Sequence, residues 1–392
     1  DHERGRCRPS SFFSGPIGSA DYESEGARRK YIMSREQRKL DHIHYALQLG
    51  DGGRSTGLDD VRFLHNCLTP VNPDRVCLTT RIGALELPVP LFIDAITGGS
   101  EGTKRVNRQL ARVARSAGCA MAVGSQYGAV KEGRYADSYA IVREEYPEGI
   151  LFANLSALAT PEEARAAVAM LDADVLEIHL NVAQELCMPE GDRDFASLLD
   201  NLSRLREAVT VPVIVKETGC GMAREQVETL QALGFTCFNV AGSGGTSFPA
   251  IETARSGDKR RQFLADWGIP TAWSLLDVSQ SASPWDTVIA SGGLRNGLDL
   301  AKALALGADA AGMSANVLAL TLGLGVDAAA SALKDILADL QDVMVLTGAA
   351  TIKELRRIPL VFTGTLLDFV RNRGYDVGKE RRPRAGTRRK RG

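Results

Sequence analysis

The 392 residues of the chain could form two or three average domains, or one large α/β barrel with extensions. Lys and Arg total 47 against 48 Asp and Glu, so no basic excess indicates a nucleic-acid-binding protein or attachment to an anionic membrane. Seven cysteines are scattered without a Cys-x-x-Cys pair, which favours reduced thiols in a cytoplasmic protein over a disulfide framework or a structural zinc site.

Both ends of the chain have the composition of disordered segments. Residues 1–33 are rich in Gly, Ser, Pro and charge without sustained periodicity, so we expect a disordered leader. Residues 376–392 form a basic tail, also expected to be disordered, and no aromatic side chain there could stack on bases, so we predict no specific nucleic-acid binding. The uncharged stretch 310–326 is interrupted by glycines and predicts a strand, a loop and a helix rather than a membrane span.

A helix is predicted just after the leader. Ser34, with Gln37 three residues later, has the pattern of a capping box. Arg38 or Lys39 then shares a helix face with His42. Such a cationic face is often only solvated. The alternative is an anion clamp, since a planar guanidinium and a compact ammonium together suit a diphosphate.

From Pro90 the sequence repeats one unit: a short apolar run, a turn with Gly or Asn, and a helical stretch. Aliphatic runs alternating with helices are typical of a parallel sheet covered by helices, and eight units close a (β/α)8 barrel. We therefore predict a (β/α)8 TIM barrel over residues 90–375, with an N-terminal helical extension over residues 34–89. The runs are Leu91–Ala95, Ala120–Val123, Leu151–Asn154, Val175–Leu180, Val213–Lys216, Cys237–Ala241, Thr287–Ala290 and Asp309–Gly312.

Polar residues and glycines recur where the predicted strands end, which is where such barrels carry their chemistry. Glycine-rich loops follow strands six to eight, and helices begin near Gly297 and Asn316, the usual phosphate position of this fold. No Rossmann Gly-x-Gly-x-x-Gly motif and no P-loop occurs, so the pattern favours FMN. Side chains that could donate to its ring are Thr97, Ser125, Asn154 and Lys216.

Lys216 has a second interpretation, because Glu217 follows it directly and could be a plain ion-pair partner. A lysine at an inward-facing strand end is costly to bury without an anionic partner, and a reduced flavin would supply one. We therefore favour a cofactor contact for this lysine.

Residues 175–195 begin as an apolar strand and then place several polar and charged side chains close together. Buried polar groups without partners are costly, so this density favours an active-site wall; the alternative is a strand followed by a polar surface loop. The polar residues are His179, Asn181, Gln184, Glu185, Glu190, Asp192 and Arg193.

These pieces occur together, in order, from about Arg35 to Gly374. The most specific is His179-Leu-Asn-Val-Ala-Gln-Glu185, followed by Met188-Pro-Glu-Gly-Asp-Arg193. The others are Arg38-Lys39-x-x-His42-Ile43, Thr97-Gly-Gly99, Gly124-Ser-Gln126, Ala153-Asn-Leu155, Val215-Lys-Glu217, Gly244-Gly-Thr246 and Ala290-Ser-Gly-Gly293. The set resembles the motifs of type 2 isopentenyl-diphosphate isomerases, the FMN-dependent form of that enzyme.

The resemblance implies interconversion of isopentenyl and dimethylallyl diphosphate on reduced FMN, with NADPH reducing the flavin and Mg2+ bound through the substrate diphosphate. It makes Gln184 the candidate catalytic residue and Glu185 the Mg2+ ligand. The substrate would be bound by Arg38, Lys39, His42, His179, Asn181 and Gln184. The cofactor would be bound by Ala95, Ile96, Thr97, Ser125, Asn154, Lys216, Gly245, Thr246, Gly292, Gly293, Arg295, Met313 and Ser314.

Physical chemistry is consistent with these implied roles. Protonating an alkene creates a carbocation, which an anionic flavin in a dry pocket stabilises. Gln184 is a weak acid and so orients or relays a proton rather than donating one unaided. A single carboxylate with phosphate oxygens, as at Glu185, is the usual Mg2+ arrangement. Barrels of this type commonly oligomerise, and we expect a homo-oligomer, a tetramer or octamer.

Departures from the family pattern occur at Ile96, at Tyr127 and in the segment Met313-Ser-Ala-Asn316. They leave open an isomerase-like enzyme acting on a longer prenyl diphosphate, for instance as a flavin-assisted cyclase. A further alternative is a flavin-dependent 2-hydroxyacid oxidase. That class needs a histidine base with a pair of arginines for the substrate carboxylate, whereas His179 lies within an Asn-Gln-Glu motif.

Overall fold

Eight parallel strands close into a barrel in the computed structural model, which describes residues 35–375, with only the backbone of residues 35 and 36. The leader, Ser34 with its predicted cap, and the tail lie outside the described residues. The strands are β1 Val61–Phe63, β2 Thr80–Ile82, β3 Leu85–Leu87, β4 Leu91–Ile93, β5 Ala120–Ala122, β6 Leu151–Ser156, β7 Val175–Leu180, β8 Val213–Glu217, β9 Cys237–Asn239, β10 Thr287–Ala290, β11 Ala310–Met313 and β12 Leu360–Phe362.

Helices follow the barrel strands and cover the outside of the barrel. They are α1 Arg35–Leu49, α2 Glu101–Ala117, α3 Tyr127–Glu132, α4 Asp137–Glu145, α5 Pro161–Leu171, α6 Val182–Cys187, α7 Leu198–Ala208, α8 Arg224–Ala232, α9 Phe248–Ser256, α10 Thr271–Ser281, α11 Gly297–Ala305, α12 Ala315–Leu324, α13 Val326–Thr347, α14 Ile352–Leu355 and α15 Gly364–Asn372. Short 3-10 helices span Leu58–Asp60, Pro73–Arg75 and Lys259–Asp266.

The barrel consists of β4 to β11, with β11 pairing with β4 to close it. Each of the eight predicted apolar runs overlaps one of these strands, so the predicted (β/α)8 TIM barrel is confirmed. Both faces of the sheet are covered, which is why the runs are apolar throughout rather than alternating. The glycine-interrupted stretch 310–326 folds into β11 and α12, as predicted.

The start of the barrel is filled by side chains from the N-terminal extension. Ile82 and Leu87, from the β2–β3 hairpin, are fully buried in one apolar cluster with the first residues of the barrel strands. Phe92 and Phe152 belong to this cluster, with ring centroids 5.1 Å apart. The hairpin therefore closes the amino end of the barrel and leaves the carboxyl end for chemistry.

Local sequence explains the helices that pack on the barrel. Helix α5 begins at a capping box of Thr160 and Glu163 with Pro161 in the first position. Helix α2 begins with a second box, in which the Ser100 side chain accepts from the Thr103 backbone. None of the helices in the described part of the chain combines the length and apolarity that a membrane crossing needs.

Candidate active site

The predicted site residues lie at the carboxyl ends of the barrel strands, opposite the β2–β3 hairpin. Helix α1 packs against α2, α9 and α12, and this packing brings its cationic residues to the same end. Sequence positions from 38 to 314 therefore meet in one region.

Lys216, at the end of β8, is buried beside acidic groups. Its Nζ lies 3.8 Å from Asp94 Oδ1 and donates to the Glu217 carbonyl at 3.1 Å. Burial by itself lowers the pKa of Lys216, but the charges of Asp94, Glu177 and Glu217 outweigh it and raise that pKa. The lysine stays positive. The Glu217 carboxylate accepts backbone N–H groups of its own loop, and its charge stabilises the Lys216 ammonium together with the charges of Asp94 and Glu177.

Asp94 is a site residue that sequence reasoning missed. Its Oδ1 accepts the Ala95 backbone N–H at 2.7 Å, and its Oδ2 accepts from Asn239 Nδ2 at 3.2 Å. Asn239 Oδ1 accepts in turn from Ser291 Oγ at 2.8 Å. The available signal was an acidic residue directly after the apolar run of β4, at a strand end.

Glu177 was also missed, because it lies inside the otherwise apolar start of β7. It is fully buried, and its Oε2 accepts from Asn154 Nδ2 at 3.0 Å. Its Oε1 has no hydrogen-bond partner among residues 35–375. Burial, with the nearby Asp94 charge, raises the pKa of Glu177 to about 8.

His179 lies two residues further along β7 and faces the same side as Glu177. Its Nδ1 is 2.9 Å from Asn154 Oδ1. Burial, with the charges of Lys216 and Lys39, lowers the pKa of His179 to about 3. The imidazole is therefore neutral near neutral pH and cannot attract an anion by its own charge.

The turn from β7 into α6 brings three predicted residues together. Asn181 Nδ2 donates to Gln184 Oε1 at 3.2 Å and to Glu185 Oε1 at 2.9 Å. Glu185 Oε2 accepts the Asp192 backbone N–H at 2.8 Å, and burial raises the pKa of Glu185. Each carboxylate oxygen keeps a further lone pair, which fits a cation that draws its other ligands from a substrate. No group of three or more His, Cys, Asp or Glu side chains with metal-binding geometry occurs within the described residues.

Glu252 of α9 connects helix α1 to Gln184. Its Oε1 lies 2.8 Å from His42 Nε2 and accepts from Gln184 Nε2 at 2.9 Å, while its Oε2 accepts from Arg255 Nε at 2.7 Å. Burial acts to raise the pKa of Glu252, but the hydrogen bonds and charges of these partners lower it to about 2. The carboxylate is therefore ionised. Arg255 lies three residues later on the same helix, whereas His42 and Gln184 come from separate segments that the sequence around Glu252 did not indicate.

Two further loop residues now have partners. Glu190 Oε1 accepts from Arg255 Nη2 at 2.7 Å and lies 3.6 Å from Arg38 Nη1. Arg193 donates to the carbonyls of Met188 and Glu185, which holds the loop after α6. The first pair links helix α1 to this loop, and the second fixes the loop itself.

The glycine-rich loops after β9 and β10 pack backbone against backbone. Gly293 has φ +79°, and a Cβ there would collide with the Gly244 carbonyl, while a Cβ at Gly245 would collide with the Gly293 nitrogen. A small pocket that is open to solvent adjoins these loops, with Thr246 in its lining. Ser243 also lines it, and the Oγ atom of this serine is buried without a partner among residues 35–375.

The end of β4 offers a second hydroxyl of this kind. Thr97 Oγ1 is buried, and no hydrogen-bond partner for it is found in the described part of the chain. Buried polar atoms are nearly always paired in native proteins, so unpaired hydroxyls at Thr97 and Ser243 fit a bound ligand. Ala95 and Ile96 lie just before Thr97, and Ser125 follows β5.

The remaining predicted cofactor residues lie around the same loops. Arg295 donates through Nε to Asp51 Oδ2 at 2.9 Å and through Nη2 to the Gly244 carbonyl at 2.8 Å, so its guanidinium links the N-terminal extension to the β9 loop. The Met313 carbonyl accepts the Asp94 backbone N–H at 3.0 Å, and Ser314 precedes the first residue of α12. Gly292 shares the β10 loop with Gly293.

Comparison with known proteins extends this description. Residues 163–361 match the family described as FMN-dependent dehydrogenase. The isopentenyl-diphosphate delta-isomerase of Geobacillus sp. (strain WCH70) is 44% identical over 346 residues, 88% of this chain and 98% of that protein. The enzyme of the same name from Symbiobacterium thermophilum is 42% identical over 351 residues, 88% of this chain and 97% of that one.

Solved structures of mandelate oxidase superpose with similar extent. One, a mutant form with the C4a-OH-FMN adduct, has a TM-score of 0.60 and 19% identity over 84% of this chain and 98% of that chain. Another, with (S)-2-phenylpropionate, has a TM-score of 0.59 and 18% identity over 83% of this chain and 97% of that chain. At such identity the likeness establishes the fold alone.

The barrel, the glycine loops and the matched region define a TIM-barrel enzyme of the FMN-dependent dehydrogenase class. Identity of 39–44% with several relatives, over 88% of this chain, narrows the class further. The chain belongs to the isopentenyl-diphosphate delta-isomerase family and is an isomerase. The family resemblance seen in the motifs is confirmed, while the roles of individual residues stay predictions.

Proposed function

We propose that this isomerase interconverts isopentenyl diphosphate and dimethylallyl diphosphate on reduced FMN, with NADPH as the reductant of the flavin and Mg2+ at the substrate diphosphate. The observation that carries the proposal is one connected set of side chains at the barrel end. It runs from helix α1 through Glu252 to Gln184 and on to Asn181 and Glu185. The names of the relatives support the same substrate pair.

The residues present fit FMN. The unpaired Thr97 and Ser243 hydroxyls and the backbone of the β9 and β10 loops would hold it, and Lys216 would lie near its anionic ring. When bound, reduced FMN supplies an electron-rich surface and a site for proton exchange next to the alkene. Lys216 is buried and positive, so it favours a negative charge beside it.

Gln184 is held in one orientation by two contacts. Its Nε2 donates to the ionised Glu252, and its Oε1 accepts from Asn181. It is nearly buried, so little water competes at its position. A primary amide is a poor acid, and this fixed orientation suits a residue that orients the alkene or relays a proton.

The substrate diphosphate would be bound between helix α1 and α6. Arg38 and Lys39 bring positive charge to the rim, and His42, His179 and Asn181 offer further hydrogen-bonding groups. Burial is the main cause of the lowered pKa of His42 and of His179, and the charge of Lys39 lowers both further. Glu185 would supply the protein ligand of Mg2+, with phosphate oxygens as its companions.

The test uses the full chain loaded with FMN, reduced by NADPH under anaerobic conditions and supplied with Mg2+. Isopentenyl diphosphate should be converted to dimethylallyl diphosphate, and the reverse reaction should reach the same equilibrium. Gln184→Ala should retain FMN and lose most turnover, which separates catalysis from cofactor binding. Absence of product with reduced, flavin-loaded protein would overturn the proposal.

Two alternatives are tested with the same FMN-loaded protein, the first under the same anaerobic conditions and the second in air. A cyclase would consume a longer prenyl diphosphate faster than isopentenyl diphosphate, so a C20 diphosphate serves as a competing substrate. An oxidase would consume oxygen steadily with lactate or glycolate. We expect neither activity, because relatives 39–44% identical to this chain are named isomerases and the oxidase likeness rests on the fold.

We also propose a cytoplasmic homo-oligomer, a tetramer or octamer. The cysteines of the described residues are unpaired, in keeping with a reducing compartment. Light scattering of the purified chain and fractionation of the source cells test these two points.

A further inference from the structure

Glu177 has no part in the proposed function, yet it is completely buried near the residues that do. It contacts Asn154 from β6, which contacts His179 on β7, at 3.0 and 2.9 Å. These three side chains are called the Glu177 relay below. Its far end, His179 Nε2, has no hydrogen-bond partner within residues 35–375 and belongs to the residue expected to meet the substrate diphosphate.

The relay has two hydrogen-bonding arrangements with the same heavy-atom distances. An ionised Glu177 can only accept, so Asn154 donates to it, and the Asn154 carbonyl then accepts the Nδ1 proton of His179. In that arrangement Nε2 carries a lone pair. A protonated Glu177 can donate, and the Asn154 amide turned by 180° then donates to Nδ1, because its two ends are nearly equal in size. Nε2 now carries the proton.

We propose that Glu177 is a positioning residue whose protonation state sets, through Asn154, whether His179 presents a hydrogen-bond donor or an acceptor to the substrate diphosphate. The inference rests on the proposed function, which makes His179 a diphosphate ligand. Phosphate oxygens are acceptors, so they bind the Nε2–H form and are repelled by the lone-pair form.

The charges around the relay favour a proton on Glu177 rather than on His179. Asp94 from β4 and Lys216 from β8 face Glu177, and burial with the Asp94 charge raises the pKa of Glu177 to about 8. Lys216 and Lys39 from α1 face His179, and burial with their charges lowers its pKa to about 3. The donor form therefore predominates near neutral pH without an imidazolium ion. It gives way to the acceptor form as pH rises through about 8.

The test measures binding of inorganic pyrophosphate to the FMN-loaded full chain in excess Mg2+ by calorimetry, between about pH 6 and 9.5. For the wild type we expect a flat Kd at low pH and a rise of up to about tenfold per pH unit above the pKa of Glu177. Glu177→Gln keeps an amide donor next to Asn154 at every pH, so its Kd should change by less than about threefold over the same range.

His179→Asn is the matched control, because asparagine carries an N–H donor at every pH. It should bind more weakly than the wild type and also lack the alkaline rise. All other titratable groups are retained in both variants, so a rise that persists in them belongs elsewhere and overturns the proposal. Lack of pyrophosphate binding at any pH would overturn it too.

Histidine-labelled wild-type protein gives a readout that does not depend on any variant folding. The chain contains five histidines, and the His179→Asn spectrum assigns the signal of interest. Nitrogen chemical shifts should report Nε2–H for His179 below about pH 8 and Nδ1–H above it. One tautomer throughout would overturn the proposal. Neither measurement needs turnover, so a failure of the isomerase reaction counts against the proposed function alone.

Discussion

Two glutamates in the site, Glu177 and Glu252, are equally buried and titrate in opposite directions. The pKa of Glu177 is raised to about 8, and that of Glu252 is lowered to about 2. Glu177 receives one amide hydrogen bond and lies near a second carboxylate, Asp94. Glu252 receives bonds from Arg255, Gln184 and His42. Burial therefore sets the size of the electrostatic problem, and the number of donors decides the charge.

The difference matches what each region has to do. Ionised Glu252 holds the groups that position Gln184 and helix α1, so a constant charge suits it. Glu177 lies among Asp94 and Lys216 in the barrel interior, where a proton can be taken up or released close to neutral pH. A fixed anion and a titrating acid thus lie within one active site.

The largest expected effect tests the fixed anion. Glu252→Ala leaves the buried guanidinium of Arg255 without its main partner, and we expect the free energy of unfolding at neutral pH to fall by about 3–5 kcal/mol. Urea denaturation followed by circular dichroism measures this loss. Glu190→Ala removes the other, half-exposed carboxylate of Arg255 and should cost under about 1 kcal/mol. Equal losses would contradict the difference between the two carboxylates.

The next effect is a dependence of stability on pH with opposite signs for the two glutamates. The pKa of Glu177 rises from 4.5 to about 8 on folding, so its contribution to stability is lost as pH increases through this window. Glu177→Gln should therefore gain on the wild type, on the order of a few kcal/mol, between those pH values. Denaturation midpoints at a series of pH values measure this gain.

Glu252→Gln provides the comparison for that series. The pKa of Glu252 falls from 4.5 to about 2 on folding, so its ionised form stabilises the protein above pH 4.5, and this contribution is lost as the pH falls to about 2. The deficit of Glu252→Gln relative to the wild type should accordingly shrink in acid. If both variants followed the same pH trend, the assignment of charges would be wrong.

The smallest expected effect on stability concerns the rim. Arg38 and Glu190 are partly exposed and 3.6 Å apart, so Arg38→Ala should change the free energy of unfolding by under about 1 kcal/mol. Its KM for isopentenyl diphosphate should nevertheless rise about tenfold, because a phosphate contact is lost. Arg108→Ala, which removes a comparable ion pair on the outside of the barrel, should leave KM unchanged. Equal KM values for the two variants would remove Arg38 from the substrate site.

Sequence patterns predicted the barrel well because each strand is a short, mostly apolar run followed by a turn. The boundaries differ where local geometry intervenes: β9 stops at Asn239, two residues before the predicted end, since Ala241 has a positive φ of 35° on entry to the glycine loop. Strand β6 instead continues past Asn154 to Ser156. Turn glycines and strand-end polar residues were visible for the same reason, as local features.

The acidic residues of the site were not predictable in the same way. Glu177 lies inside an apolar run, and only the barrel shows that it faces inward towards Asp94 and Lys216. Glu252 becomes important through contacts with His42 and Gln184, which lie 210 and 68 positions away in the sequence. Such long-range contacts depend on helix packing, which a local pattern does not encode.

The pairing of β1 with β12 has a consequence for how the enzyme is made. Val61 lies opposite Phe362, and Asp60 accepts the backbone N–H of Leu366, so the extension that carries helix α1 is bound to residues about 300 positions later. Contacts of this span close last, because the loop between them must be ordered first. During synthesis the barrel can assemble before this pairing forms. A chain that stops before residue 360 would therefore be expected to form most of the barrel while lacking a fixed position for helix α1.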